Sequence, residues 1–178
     1  MAWTKIIRPD EAQGELREIY ADLKARNISR LREFAAVYTQ EPTIMRWLNG
    51  TFARPGANYG VTGIEPALVE MIIVVVSAAN SCHNCLTIHA LQLARLIHDE
   101  ALVSQIESDY TEAQLDPKTR AALDYAYKLT CDPTRMGQAD VQFLRDVGYT
   151  DRQIVDIAHV AAWFNYVNRI AEGLGTEL

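Results

Sequence analysis

Apolar residues along this chain recur mostly at intervals of three and four, the period of a helix laid against a core. Between residues 11 and 26, Leu16, Ile19, Tyr20 and Leu23 form one stripe, with charged residues on the other side. Residues 30–38 and 42–52 predict two short helices, and Glu41-Pro42 supplies the break and the restart. Residues 54–63 are rich in Gly, Pro and Asn and predict a loop. Pro66 opens the next helix at its first position, where the missing N–H costs nothing, and that helix runs to about Ala79. Asn80 and Ser81 interrupt the pattern, and a second helix starts around Cys82 and continues to about His98. Residues 99–108 predict a further short helix. Asp116-Pro117 begins another, ending near Cys131. Residues 138–147 follow and stop at Gly148; Thr150 caps a last long helix that runs to about Glu172 and ends at Gly173.

One segment reads two ways. Met71-Ile72-Ile73-Val74-Val75-Val76 is rich in β-branched residues and has the look of a buried strand. Three observations favour helix. Pro66 is placed as a helix opener, the whole segment is long for a strand, and the rest of the chain offers no partner strands. The expected fold is therefore all-α, a single domain over residues 1–178, with residues 1–60 as a helical arm and 61–178 as the core that carries the chemistry. A helix apolar on every side is more surface than a chain of this size readily hides, so a homo-oligomer is expected.

Composition narrows the classes. With 49% apolar residues and charges of both signs, the chain has the make-up of a folded protein. The net charge is −6, and the nearest approach to a basic cluster, Arg26, Arg30 and Arg32, is interrupted, so nucleic-acid binding is set aside. No signal peptide is expected from the polar, acidic start, and no apolar run is long enough to cross a membrane. Three cysteines do not make a disulfide framework in a chain this long. Two of them form a C-x-x-C, which in a reducing compartment points to redox chemistry or metal binding, and a cytoplasmic location is expected.

The candidate chemistry gathers on four residues. Cys82, Cys85 and His89 are spaced by three and four, which keeps them on one helical face, with His89 leaning back beside Cys85. The cysteines fall in the first turn, where exposed N–H groups and the helix dipole favour a thiolate. Glu70 is the one fully charged residue between Glu65 and Arg95, on a helix apolar all round, so it should be buried. A buried carboxylate without a partner favours its neutral form, and beside a thiol and an imidazole it suits proton transfer. Taken singly, each part has a plainer reading: a stray C-x-x-C, a core histidine, a carboxylate paired with an arginine such as Arg169. Of the remaining residues, Cys131 reads as a small buried side chain, His98 as a helix-end residue, His159 as core, and Asn165, Asn168 and Arg169 as structural or inter-subunit.

The spacing Glu70-x11-Cys82-x2-Cys85-x3-His89 resembles that of the AhpD-like alkylhydroperoxidases of the carboxymuconolactone decarboxylase superfamily. The opening Gly14, Leu16, Ile19, Tyr20, the stretch Leu144 to Gly148 with Asp151 and Ile154, and the closing Phe164 to Gly175 are similar to its peroxidase-related branch. The resemblance implies an AhpD-like helical bundle, a dimer, trimer or hexamer, and no cofactor. It also implies a cycle in which peroxide oxidises one thiolate, the other closes a disulfide, and an external dithiol or thiol protein reduces it. One position departs: the family often carries His or Tyr immediately before the second cysteine, where this chain has Asn84, with His83 one place earlier.

The expected function is a thiol-dependent hydroperoxide reductase, with Cys82 and Cys85 as the dithiol and Glu70 and His89 as the proton relay. His89, one turn after Cys85, favours Cys85 as the attacking thiol, and the reverse order stays open. The alternatives are zinc bound by Cys82, Cys85, His89 and a fourth ligand, a carboxymuconolactone-decarboxylase-like enzyme, and a non-catalytic helical oligomer.

Overall fold

The structure, a computed structural model, describes residues 2–25, 33–52 and 58–176. The arginine trio at 26–32, the expected helix start at Arg30 and residues 54–57 of the expected loop lie outside them. Among the described residues all regular structure is helical. In chain order the elements are α1 (Gly14–Ala25), α2 (Glu33–Ala36), α3 (Pro42–Phe52), α4 (Pro66–Ala79), α5 (His83–Ile97), α6 (Glu100–Asp109), α7 (Pro117–Cys131), α8 (Gln138–Asp146) and α9 (Asp151–Leu174). Short 3-10 turns cover Val37–Gln40, Asn58–Gly60 and Pro133–Arg135.

The β-branched run therefore lies inside α4, as the proline and the segment length predict. Three boundaries move for identifiable reasons. Gly14 has φ +50°, a left-handed conformation, so α1 cannot reach back to residue 11. Residues 37–40 tighten into a 3-10 turn directly before Glu41-Pro42. The last helix passes through Gly173 and stops at Gly175, which has φ +67°. A glycine inside a helix costs about 1 kcal/mol and does not end it, whereas a left-handed residue does. A Cβ at Gly175 would also run into the Trp3 ring.

The chain forms two compact units, Met1–Gly60 with Ile170–Leu178, and Val61–Arg169. In the first, the N-terminal strand of backbone is tied down by polar contacts. Trp3 N–H donates to the Leu174 carbonyl (2.8 Å), Ile7 N–H to Thr39 Oγ1 (3.0 Å) and the Tyr20 hydroxyl to the Ile7 carbonyl (2.6 Å). Leu16, Ile19 and Leu23 bury their side chains as the stripe predicts.

In the second unit α4 is the central element. Every residue from Val69 to Ser77 is buried, and α5, α6 and α7 pack against the helix. Its all-round apolar surface is thus covered within the chain, and it supplies no argument of its own for a partner subunit. The loop leading into α4 is pinned to the first turns of α9. Gly63 N–H donates to Asp156 Oδ2 (2.7 Å), Gln153 Nε2 donates to the Gly63 carbonyl (2.9 Å), and Arg152 bonds the Thr62 hydroxyl. Pro117 opens α7 behind an Asp116 side chain that accepts from Lys118 N–H and Thr119 N–H.

Candidate active site

The site starts at the C-terminal end of α4. Asn80 ends the helix, and Ser81 turns into the left-handed region with φ +56°. Two hydrogen bonds close the turn: Ser81 N–H donates to the Ala78 carbonyl (3.0 Å) and Cys82 N–H to the Ser77 carbonyl (2.9 Å). This is the pairing that satisfies the last carbonyls of a helix around a left-handed residue. Glycine usually fills that position, and a serine there costs roughly 1–2 kcal/mol. The turn makes Cys82 the N-cap of α5, and its carbonyl already accepts from Leu86 N–H (2.9 Å). Cys85 then falls at the third position inside α5, and His89 one turn further on.

All four predicted site residues are buried in this unit. Relative exposure is 0% for Cys82, 7% for Cys85, 6% for His89 and 7% for Glu70. None of the cysteines is in a disulfide. Glu70 and His89 meet directly: Glu70 Oε2 lies 2.7 Å from His89 Nδ1. So Glu70 is not the unpartnered carboxylate the sequence suggests, and its partner is the histidine rather than Arg169, which bonds Asn165. The imidazole is also held edge-on against Phe164, with ring centroids 4.8 Å apart and planes at 82°. A carboxylate only accepts, so with Glu70 ionised the hydrogen sits on Nδ1 and the opposite nitrogen, Nε2, is the one able to take up a proton. The second contact fixes the ring plane, so the carboxylate and the phenyl ring together orient Nε2.

Other predicted roles change. Cys131 is exposed, not buried. Helix α7 buries Ala122, Ala126 and Thr130, and Cys131 is one step, or about 100°, around from that row. His159 is exposed rather than in the core. His83, the histidine inside the motif, is exposed on the first turn of α5, where its carbonyl accepts from the Thr87 hydroxyl (2.9 Å). His98 ends α5 in a left-handed conformation, its N–H donating to the Ala94 carbonyl (3.0 Å). Among the described residues no group of three His, Cys, Asp or Glu side chains is arranged to hold a metal ion, so the zinc reading finds no ligand set there. Nor, among them, is any helix long and apolar enough to cross a membrane. Two contributors escape sequence reasoning, the Phe164 ring and the Ser81 turn. Neither has a local signal, because one acts from a distant helix and the other occupies a place usually given to glycine.

No family model matches the chain, and no curated protein does. Solved structures match over its whole length. An uncharacterized peroxidase-related protein from Silicibacter sp. TM1040 is 26% identical, with 99% of this chain and 91% of that one covered and a TM-score of 0.82. An uncharacterized peroxidase-related protein from Ralstonia eutropha JMP134, described as an alkylhydroperoxidase AhpD core, is 23% identical over the same shares, with a TM-score of 0.80. The debrominase Bmp8, solved as a cysteine-to-alanine variant in complex with 2,3,4-tribromopyrrole, is 17% identical over 99% of this chain and 93% of that one, with a TM-score of 0.75.

Proposed function

We propose, for a chain with the all-helical AhpD-like fold of the peroxidase-related proteins, that it reduces hydroperoxides with a Cys82–Cys85 dithiol. The observation that carries this reading is the buried 2.7 Å contact between Glu70 and His89, one turn along α5 from Cys85. A carboxylate and an imidazole held together out of water are suited to moving a proton. A C-x-x-C at the start of the same helix is suited to forming a thiolate and then a disulfide.

The chemistry runs in three balanced steps. His89, through Nε2, takes the Cys85 proton, with Glu70 stabilising the imidazolium. The Cys85 thiolate attacks the outer peroxide oxygen, the O–O bond breaks, and the leaving alkoxide takes the proton back as an alcohol, leaving a sulfenic acid on Cys85. Cys82 attacks that sulfur, an S–S bond forms, and the hydroxyl leaves as water. An external dithiol or thiol protein then donates two electrons and two protons, restoring both thiols and becoming a disulfide itself. A disulfide needs a Cα separation of roughly 4.4–6.8 Å, a span that one helical turn provides, and the three-residue spacing of Cys82 at the N-cap and Cys85 inside α5 supports the pairing. No cofactor enters the cycle. The protein is further proposed to act as a homo-oligomer, a reading supported by the family resemblance; a monomer across a wide concentration range in light scattering would end it.

The deciding experiment measures hydroperoxide consumption with a panel of dithiol donors. Turnover that stops when the donor is withheld supports the reading. 2,3,4-Tribromopyrrole, the compound bound to the Bmp8 variant, is tested beside the hydroperoxides as an alternative substrate. Bromide release without hydroperoxide consumption would replace the peroxidase reading with a dehalogenase one.

A further inference from the structure

A second polar cluster adjoins the turn that leads into Cys82 and has no part in the steps above. Asn80, two residues before Cys82, donates from Nδ2 to both Asn165 Oδ1 (3.1 Å) and Asn168 Oδ1 (3.0 Å) on α9. Asn165 Nδ2 donates to Thr130 Oγ1 on α7 (2.9 Å) and to the Ala161 carbonyl (2.9 Å). Asn168 Nδ2 donates to Ser77 Oγ (3.3 Å) on α4. The amide orientations are not arbitrary. Arg169 Nη1, which only donates, lies 2.7 Å from Asn165 Oδ1, so that atom is an oxygen and the Asn80 atom facing it is a nitrogen. That nitrogen in turn requires an oxygen from Asn168, which leaves the Asn168 amide nitrogen for Ser77.

The cluster therefore grips the turn at both ends. Asn168 holds Ser77, whose carbonyl receives Cys82 N–H, and the same Asn168 receives Asn80, which precedes the left-handed Ser81. A non-glycine residue stays in that conformation only where its surroundings over-determine it. Here the surroundings are two side-chain bonds to a helix whose Asn168 is 1% exposed.

We propose that Asn80 is a positioning residue for the thiol pair: by donating to Asn165 and Asn168 it fixes the turn that sets Cys82 against Cys85, and so sets the pair's dithiol–disulfide equilibrium. This rests on the reading that the pair cycles. Cys82 is placed by the turn, whereas Cys85 is placed by the helix. Motion at the turn dilutes one sulfur relative to the other, and a disulfide between them is then formed less favourably. The global fold does not depend on that relation in the same way, which makes the two separable.

The test is a redox titration of the folded protein against the glutathione couple, read by mass spectrometry after acid quench and alkylation. Oxidised glutathione gives up its S–S bond and takes two electrons and two protons, while the protein loses two S–H bonds and gains one S–S bond. Asn80→Ala should shift the equilibrium toward the dithiol about tenfold, or roughly 30 mV for this two-electron couple. Asn80→Asp has nearly the same volume and no amide donor, so it should shift it the same way; it also carries the test if the alanine variant is too poorly folded. The control is Gly148→Ala, which strains a turn with no thiols and should lower stability while leaving the equilibrium within twofold. Equal shifts in Asn80→Ala and Gly148→Ala, or none in either Asn80 variant, would overturn the proposal. A wild-type chain that forms no Cys82–Cys85 disulfide would overturn the hydroperoxide reading and this inference together. A wild type that forms the disulfide but consumes no hydroperoxide would remove only the former.

Discussion

Two helix-to-helix junctions in this chain use the same device for different ends. At the end of α8, Gly148 is left-handed with φ +92°, its N–H donates to the Arg145 carbonyl (2.9 Å), and Tyr149 N–H donates to the Leu144 carbonyl (3.0 Å). The end of α4 repeats those bonds around Ser81. The helices that follow start differently. Thr150 precedes α9 and exchanges hydrogen bonds with Gln153: Thr150 N–H donates to Gln153 Oε1 (3.0 Å), and Gln153 N–H lies 3.4 Å from Thr150 Oγ1. In α5 the equivalent two places, the N-cap and the third residue inside, are Cys82 and Cys85. One junction holds glycine, threonine and glutamine, the residues a helix boundary prefers. The other holds serine and two cysteines in the same roles. The C-x-x-C thus occupies the positions of a capping box, with sulfur in the two places where a helix boundary usually carries oxygen.

That comparison is broken most severely by removing sulfur. Cys85→Ser should abolish peroxide reduction, and Cys82→Ser should permit one oxidation event without turnover. Because serine caps a helix better than cysteine, Cys82→Ser should do this with no loss of thermal stability. Single-turnover mass spectrometry distinguishes the roles: sulfenic acid on Cys82 in the Cys85→Ser protein, and none on Cys85 in the Cys82→Ser protein, would reverse the order of attack. Next comes the proton relay. Glu70→Gln keeps the shape and the fold and should slow the chemical step by about 10²–10⁴-fold; unchanged stopped-flow rates would make the carboxylate a structural partner of His89 alone. Smaller effects belong to the turns themselves. Gly148→Ala places a Cβ at φ +92° and should cost about 1–2 kcal/mol in urea unfolding. Ser81→Gly relieves the opposite junction and should stabilise the chain by roughly 0.5 kcal/mol, since relief of strain is partly offset by a freer unfolded chain. A loss of stability in Ser81→Gly would mean that serine is held there by more than tolerance.

The difference between the junctions also explains what could be read in advance. Gly148 announces its turn in the sequence, and so do Pro66 and Asp116-Pro117 at their helix starts, because each residue type has few comfortable places. Ser81 announces nothing, since serine takes up a left-handed conformation only when the surrounding bonds hold it there. The motif residues were legible through spacing, and Glu70 through its isolation in an apolar helix. Its partner was legible only as one member of a set, and Phe164 only as the start of the closing stretch and not as a contact of that ring, because packing between distant helices leaves no local period. Asn80 and Asn165 are 85 residues apart and meet for the same reason. Cys131 was misread by judging residue type ahead of helical phase. The buried row Ala122, Ala126, Thr130 leaves it outside, and the phase was there to be counted.

That exposed cysteine has a practical side. Cys82 and Cys85 are shielded in the folded chain, while Cys131 ends α7 at the surface. A brief treatment of native protein with a maleimide dye should therefore add one label per chain, at Cys131, and further additions should appear only after denaturation. The same site is the one through which purified chains would cross-link on storage in air, so gels run without reductant would show covalent dimers that say nothing about the redox-active pair. Cys131→Ser yields a chain in which every remaining thiol belongs to the candidate site, and in which thiol counts can be read as occupancy of that site directly.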